Sequence, residues 1–197
     1  MASSDNASFQ RTISALVQDR PGVLARIAGL FRRRGFNIAS LAVGRSEQPG
    51  LSRMTFVVEG PYEVVRHVSA QLDRLIDVVE VHDITEKNIV WRELALIKVT
   101  ADALARREIL ELVNIFRVNV IDIGAESLTV EISGGRQKID SFIELVRKFG
   151  IEEVIRTGRV ATLRGTLIAG EVDGLFQSDT NQLHYTLPIP GDDTGSV

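Results

Sequence analysis

One segment of the sequence combines groups that could bind a small molecule with a positive and a negative charge. It reads QDRPGVL over residues 18–24 and follows an apolar run. A glycine at the head of a helix leaves backbone N–H groups approachable, and the helix dipole favours an anion there. Asp19 can meet an ammonium group, and Asn37, which we expect at the same edge of the fold on the next strand, offers a donor and an acceptor. Together these groups suit an α-amino acid.

The same residues also have a purely structural interpretation. Asp before Pro-Gly is favourable at a helix start, because proline fits the first turn and Asp19 can accept bonds from the unpaired amide groups. A second copy of the pattern, described below, reads TADAL over residues 100–104 and lacks Pro-Gly, although it keeps Asn119. If Pro-Gly were merely required by the fold, we would expect both copies to have it. This asymmetry favours ligand binding over helix capping alone.

Residues for catalysis or metal binding are not grouped in the sequence. His67, His82 and His184 lie far apart, and no nucleophile elbow, phosphate-binding loop or dinucleotide fingerprint occurs. The chain has no cysteine, which excludes a disulfide scaffold, a zinc ribbon and a thiolate nucleophile. We therefore expect no catalytic residues, no metal site and no cofactor on this chain.

The charge pattern argues against nucleic acids and membranes as partners. The 197 residues carry a formal charge of −3, and the arginines at 32–34 are explained by the end of a helix, where positive charge complements the dipole. Base stacking needs aromatic residues on the third strand, and residues 52–59 offer only Phe56. The start of the chain does not resemble a signal peptide, and the longest uncharged run, residues 180–191, is too short to span a bilayer. We expect a cytoplasmic protein.

The elements that must position these residues occur in the order β-α-β-β-α-β, twice. In each copy, β-branched runs alternate with apolar stripes at helical spacing. The first copy has strands at 11–17, 36–43, 54–59 and 78–84, with helices that begin near Val23 and Val65. The second has strands at 94–100, 118–123, 128–132 and 151–155, with helical stripes at 109–116 and 139–146. The predicted class is α+β, with two tandem ferredoxin-like βαββαβ domains.

The duplication also predicts the domain limits and one difference between the copies. We expect a disordered N-terminus at 1–9, domains at 10–85 and 86–165 that pack together across the short polar segment 85–90, and a poorly ordered acidic tail at 166–197 with a short strand near His184 and Tyr185. Asn37 aligns with Asn119 and Gly60 with Gly134, which are offsets of 82 and 74 residues. The hairpin of the first copy is therefore longer by about 8 residues, which we expect in the loop between residues 43 and 54.

Several blocks of sequence, taken in order, closely resemble one known family. They are DRPGVLARIAGLFRRRGFNIASLAVG, LSRMTFVVEG, RELALIKV, NIFRVNVIDIGAESLTVEISG and GRVATLRG. They resemble the small regulatory subunit of acetohydroxyacid synthase (AHAS), also called acetolactate synthase, over about residues 13–165. The GFNIASL and LSRMT blocks make the resemblance specific.

The resemblance implies that the first copy is an ACT domain and the second a family-specific ferredoxin-like domain. In such proteins two ACT domains pair edge to edge in a homodimer and bind an effector amino acid at their interface. Carried onto this chain, one wall of the site would be formed by Asp19, Pro21, Gly22, Val23 and Leu24, and the other by Asn37 and Ile38 of the partner subunit. Family members carry either Asn or Asp where this chain has Asp19.

The resemblance also implies what the chain acts on. The family's catalytic large subunit holds thiamine diphosphate, magnesium and FAD, and condenses pyruvate with pyruvate or 2-oxobutyrate in branched-chain amino-acid synthesis. This chain would activate that subunit and make it sensitive to a branched-chain amino acid, valine first. Two alternatives stay open at this point. One is a free-standing ACT-domain amino-acid sensor with another partner, and the other is an RNA-binding module, which shares the order of elements.

Overall fold

Two antiparallel sheets, each with two helices on one face, make up the computed structural model, which describes residues 10–60 and 62–165. The expected disordered N-terminus at 1–9, the expected acidic tail at 166–197 and the strand near His184 and Tyr185 lie outside the described residues. No helix within the described part is long and apolar enough to cross a membrane.

The first half of the chain forms a sheet in the order β2-β3-β1-β4. Its elements are β1 (Gln10–Gln18), α1 (Val23–Arg34), β2 (Asn37–Arg45), β3 (Leu51–Glu59), α2 (Tyr62–Asp73) and β4 (Val78–Asp83). β3 pairs antiparallel with both β1 and β2, so that Gln10, Glu59 and Asn37 lie in one row across the sheet. β2 and β4 are the edge strands.

The second half repeats this arrangement in the order β6-β7-β5-β8. Its elements are β5 (Ile89–Thr100), α3 (Ala103–Phe116), β6 (Asn119–Ile123), β7 (Ser127–Gly134), α4 (Arg136–Val146), a 3₁₀ turn (Arg147–Phe149), β8 (Ile151–Arg156) and β9 (Val160–Leu163). Asn37 donates to Glu59 in the first half, and Asn119 donates to Glu131 at the same place in the second. The predicted pair of βαββαβ units is confirmed.

Helix α1 shows how the sequence pattern becomes structure. Its apolar residues Val23, Ile27, Leu30 and Phe31 are buried against the sheet, as the helical spacing predicts. The helix ends at Gly35, whose φ of 68° is in the left-handed region and whose N–H donates back to the carbonyl oxygen of Arg32 at 3.2 Å. A glycine takes this conformation without steric cost, which is why the helix stops here.

Each half has its own aromatic core. In the first, the rings of Phe31 and Phe56 stack with centroids 5.4 Å apart. In the second, Phe116 meets Phe142 edge to face at 5.3 Å. Phe31, Phe56 and Phe142 are fully buried, and each half has its own cluster of buried apolar residues.

The first hairpin is longer and the extra residues lie where predicted, but the expectation that they form a loop is wrong. β2 and β3 have 9 residues each, whereas β6 and β7 have 5 and 8, and the turns are short at residues 46–50 and 124–126. The strands extend into the expected loop because Gly44 pairs with Arg53 and Arg45 with Ser52. The extra length is therefore mostly sheet.

The expected linker is also structured differently from the prediction. β5 begins at Ile89 and not at residue 94, and its first four residues pair with β9, a strand that the sequence pattern did not indicate. Just before β9, the backbone N–H of Arg159 donates to the hydroxyl of Ser40 at 2.8 Å. Its guanidinium donates to the hydroxyl of Thr12 at 2.8 Å. The expectation that the two halves pack together is confirmed by these bonds.

Replacing either core phenylalanine should destabilise its half strongly. We expect Phe31→Ala and Phe142→Ala each to lower the free energy of unfolding by about 3–5 kcal/mol, because truncation leaves a cavity in a packed core. Urea denaturation followed by circular dichroism, at one fixed protein concentration, measures this change. Leu104→Ala is the matched control, because Leu104 is 82% exposed, and it should change the free energy by less than about 0.5 kcal/mol. An equal loss in all three variants would contradict the assignment of these cores.

Candidate functional site

The loop between β1 and α1 has an unusual backbone conformation at its last residue. Gly22 occupies the N-cap position with φ 87° and ψ −11°. No atom lies within 4 Å of the point where a Cβ would be placed on Gly22. The glycine is therefore needed for its positive φ and not for lack of space, and the start of α1 faces open solvent.

The first turn of α1 has no side-chain cap, whereas the equivalent turn of α3 has one. No side chain accepts a hydrogen bond from the start of α1. At the start of α3, the carboxylate of Asp102 accepts from the N–H groups of Leu104 at 3.0 Å and Ala105 at 2.8 Å. Asp19 does not perform this role, so the helix-capping interpretation of that residue is wrong. The N–H of Val23 donates to the carbonyl oxygen of Arg20 at 3.4 Å. Among the described residues, the N–H groups of Leu24 and Ala25 have no side-chain acceptor and are the ones available to a ligand.

Asp19 instead connects the loop to the turn of the first hairpin. Its backbone N–H donates to the carbonyl oxygen of Gly50 at 2.8 Å, and its carboxylate lies 3.8 Å from Nε of Arg45. The Asp19 side chain is 48% exposed. One carboxylate therefore remains accessible beside the uncapped helix, on a loop that is bonded to the hairpin.

A second contact, which sequence reasoning missed, holds the other side of the loop. The backbone carbonyl of Asp77 accepts from the N–H of Gln18 at 2.8 Å. Its buried carboxylate accepts from the guanidinium of Arg26, the fourth residue of α1. Asp77 thus ties the end of β1 to the first turn of the helix. Only long-range packing reveals this tie, since residues 26 and 77 share no local pattern.

The apolar residues predicted for the site have different surroundings. Val23 is buried in the core at 3% exposure, whereas Leu24 is 46% exposed. Pro21 is exposed, and Ile76, next to Asp77 in the sequence, is 87% exposed. Val23 anchors the helix start, and Leu24 and Pro21 present apolar surface to solvent. The exposure of Ile76 is a feature that the sequence pattern did not single out.

Asn37 and Ile38 do not lie near this loop in the same chain. Asn37 begins β2 in the row that contains Gln10, whereas the loop follows Gln18 at the other end of β1. At about 3.4 Å per residue the two ends are roughly 27 Å apart. The expectation that Asn37 leaves the same edge as the loop is wrong, because β1 and β2 run parallel on either side of β3. Ile38, half-buried, packs against the first core.

Side chains suited to holding a metal ion are not clustered in the part of the chain that the structure describes. No three residues among its histidines, aspartates and glutamates come together with metal-binding geometry. The carboxylates of Asp19 and Asp77 are engaged by arginine, and that of Asp102 accepts from backbone N–H groups.

Two family models match the two halves of the chain. One, described as an AHAS small subunit-like ACT domain, matches residues 13–80. The other, described as the small subunit of acetolactate synthase, matches residues 92–165. Each match falls on one of the two βαββαβ units.

Relatives with the same description extend over most of the chain. The probable acetolactate synthase small subunit of Archaeoglobus fulgidus is 52% identical over 157 residues, which are 80% of this chain and 98% of that protein. The acetolactate synthase small subunit of Mycolicibacterium smegmatis is 47% identical over 160 residues, 81% of this chain and 94% of that protein.

A solved structure agrees with the fold as well as the sequence. The crystal structure of the acetolactate synthase small subunit from Thermotoga maritima has a TM-score of 0.75 and 43% sequence identity, and the match covers 81% of this chain and 99% of that one. Both family models, these relatives and this structure have the same description, so the chain belongs to the family of acetolactate synthase small subunits.

Proposed function

We propose that this chain activates the catalytic subunit of acetolactate synthase and makes it sensitive to a branched-chain amino acid. L-Valine is the proposed effector. Thiamine diphosphate, magnesium and FAD belong to that catalytic partner in this proposal, and the chain itself contributes only regulation. The observation that carries the proposal is the uncapped start of α1 at Gly22, with the accessible carboxylate of Asp19 beside it.

The groups at this loop match the chemistry of a free amino acid. The first-turn amides of α1 attract its carboxylate, and Asp19 attracts its ammonium group. Pro21 and Leu24 supply exposed apolar surface for an aliphatic side chain. Burying a valine or leucine side chain contributes about 1.5–3 kcal/mol. A tenfold inhibition needs a coupling free energy of about 1.4 kcal/mol, so the available energy is sufficient if it differs between the two states of the enzyme.

The second wall of the site requires a second copy of the chain. β2 is an edge strand of its sheet. Two copies of the chain can pair through their β2 strands about a two-fold axis perpendicular to the sheet. The two β2 strands are then antiparallel to each other. The partner's Asn37 then lies at the end where β2 finishes with Arg45, which is the residue that contacts Asp19. A homodimer thus places Asn37 and Ile38 of the partner subunit near the loop, which one chain alone does not do.

The hairpin provides a short connection from this loop to the catalytic subunit. Asp19 is bonded to Gly50, in the turn of the hairpin, and lies beside Arg45 at the end of β2. The Arg45 side chain is 91% exposed, and Val43 is 49% exposed. We propose that the hairpin from Val43 to Met54 helps to contact the catalytic subunit. An effector that shifts the loop would then move the contacting surface directly.

Calorimetric titration of the purified chain with L-valine, L-leucine and L-isoleucine tests the effector role. We expect micromolar to millimolar binding that is selective for a branched side chain, with L-lysine as the negative control, because an apolar wall rejects a charged side chain. If none binds, the titration is repeated with the reconstituted complex. Absence of binding there too would contradict the proposed effector.

Gly22→Asp should abolish feedback inhibition while leaving activation intact. Its added carboxylate would repel the carboxylate of the effector at the helix start. Gly22→Asn is the matched control, because Asn and Asp both tolerate a positive φ and have the same size, so the two variants differ in charge. The measurement is acetolactate formation by the reconstituted enzyme across a range of L-valine concentrations. Valine inhibition that persists in Gly22→Asp would refute this site.

Shortening the first hairpin should remove activation. Replacing residues 46–51 by Asn-Gly joins Arg45 to Ser52, which are already paired, through a two-residue turn. We expect the rate of the catalytic subunit to fall to its unactivated level. The control rewrites the turn at residues 124–126 as Gly-Asn-Gly, which alters the equivalent turn of the second half. Full activation by the shortened chain, or an equal loss in the control, would count against a role for this hairpin.

A further inference from the structure

A cavity of about 340 Å³ lies between the two halves, away from the loop described above. It is lined on one side by the open face of the first sheet, including Ser40 and Val57, and on the other by the segment from Arg156 to Arg159. Trp91 and Arg136 also line it. The cavity is therefore built by both halves at once.

Arginine side chains in this cavity outnumber the carboxylates that can neutralise them. Arg156 is well paired, with Nε 2.7 Å and Nη2 3.0 Å from the two oxygens of Glu93 and Nη1 2.8 Å from Asp140. These contacts raise the pKa of Arg156. Asp140 is shared, because Nε of Arg136 lies 3.4 Å from its other oxygen.

Arg159 has no carboxylate partner among the described residues. Its guanidinium lies over the ring of Trp91, 4.4 Å from the centroid, and donates to the hydroxyl of Thr12. Burial and the nearby charge of Arg136 lower its pKa from the ordinary value, although Glu93 opposes this effect. A cation held this way, close to a second cation, is stabilised by a negative group placed between them.

Neighbouring residues hold the guanidinium of Arg159 in a fixed position. Gly158 has φ 77°, and a Cβ there would lie 2.4 Å from the hydroxyl of Ser40. The next residue, Arg159, is bonded to both Ser40 and Thr12. On the opposite side, Arg136 is the first residue of α4, whose N-cap Gly135 supplies no side-chain hydrogen bond. An uncapped helix start adds partial positive charge next to Arg136, the residue of α4 that lines the cavity.

We propose that this cavity binds a small oxyanion, a phosphate or carboxylate group, between the guanidinium groups of Arg136 and Arg159. Guanidinium donors suit both groups, because their planar forks match two oxygens of one anion. The Nη1 of Arg136 is only weakly engaged, by the Gln10 side chain at 3.3 Å, and can turn toward the ligand. The proposal is independent of the proposed effector site, which lies at the other end of β1.

The single tryptophan of the chain, Trp91, reports on this cavity directly. We would titrate the full-length chain with inorganic phosphate, and separately with acetate, at constant ionic strength maintained with sodium chloride, and follow Trp91 fluorescence. We expect a saturable change. Binding of phosphate alone would assign a phosphate-bearing ligand, binding of acetate alone would assign a carboxylate, and either would support the oxyanion site.

Two variants and a control decide whether the arginines are responsible. Arg136→Gln and Arg159→Gln should each weaken binding about tenfold or more, because each removes a charged donor pair. Arg159→Lys should retain part of the affinity. Arg107→Gln, at an exposed position on α3, should leave it unchanged. Thermal unfolding followed by circular dichroism checks folding, and the 57% exposed side chain of Arg136 makes that variant the safer of the two.

The proposal is overturned by either of two results. One is that neither phosphate nor acetate gives a saturable change in Trp91 fluorescence. The other is saturable binding with the same affinity in Arg136→Gln as in the unchanged chain. L-Valine binding is measured on the same samples, so that loss of the effector site and loss of the anion site are distinguished.

Discussion

The antiparallel pairing of β3 with both β1 and β2 determines where each candidate functional group lies. Because β1 and β2 are both antiparallel to β3, they run parallel to each other, and their starting residues Gln10 and Asn37 share one end of the sheet. The loop at Gly22 is at the other end. One chain therefore separates the two proposed walls of the effector site, and an edge-to-edge pair of chains is the simplest arrangement that would join them.

The two halves show how one fold can be used for support and for binding. At the start of α3, Asp102 caps the helix, and the guanidinium of Arg106 donates to the carbonyl oxygens of Gly124 and Ala125. At the start of α1 the corresponding arginine, Arg26, turns away to Asp77, and Gly22 leaves the helix end uncapped. A fold that required an open helix start would show it in both halves. The open start of α1 is therefore not a requirement of the fold, since α3, the equivalent helix of the second half, is capped.

The sequence allowed the local features to be predicted well and the long-range ones less well. The stripe that begins at Val23 and the stop at Gly35 follow from helical period and backbone preference, and both are found. The position of Asn37 depends on strand register, and the pairing of β9 with β5 joins residues about 70 positions apart, which no local pattern encodes. The contacts of Asp19 were not predicted for the same reason, since its partners Arg45 and Gly50 come from the hairpin of β2 and β3.

Strand β2 connects the two proposed sites physically. Its first residues, Asn37 and Ile38, are proposed to complete the effector site at the loop of the partner subunit. The next residues, Ala39 to Leu41, line the cavity between the halves. A register shift separates these groups between Ile38 and Ser40. The second half has the same shift between Val120 and Asp122, so this irregularity belongs to the fold. What differs in the first half is the contact of Ser40 with Gly158 and Arg159, which fastens β2 to the other domain. β2 is thus held by β3 along its length and by the second half at Ser40, so the strand proposed to complete the effector site is fixed from both sides.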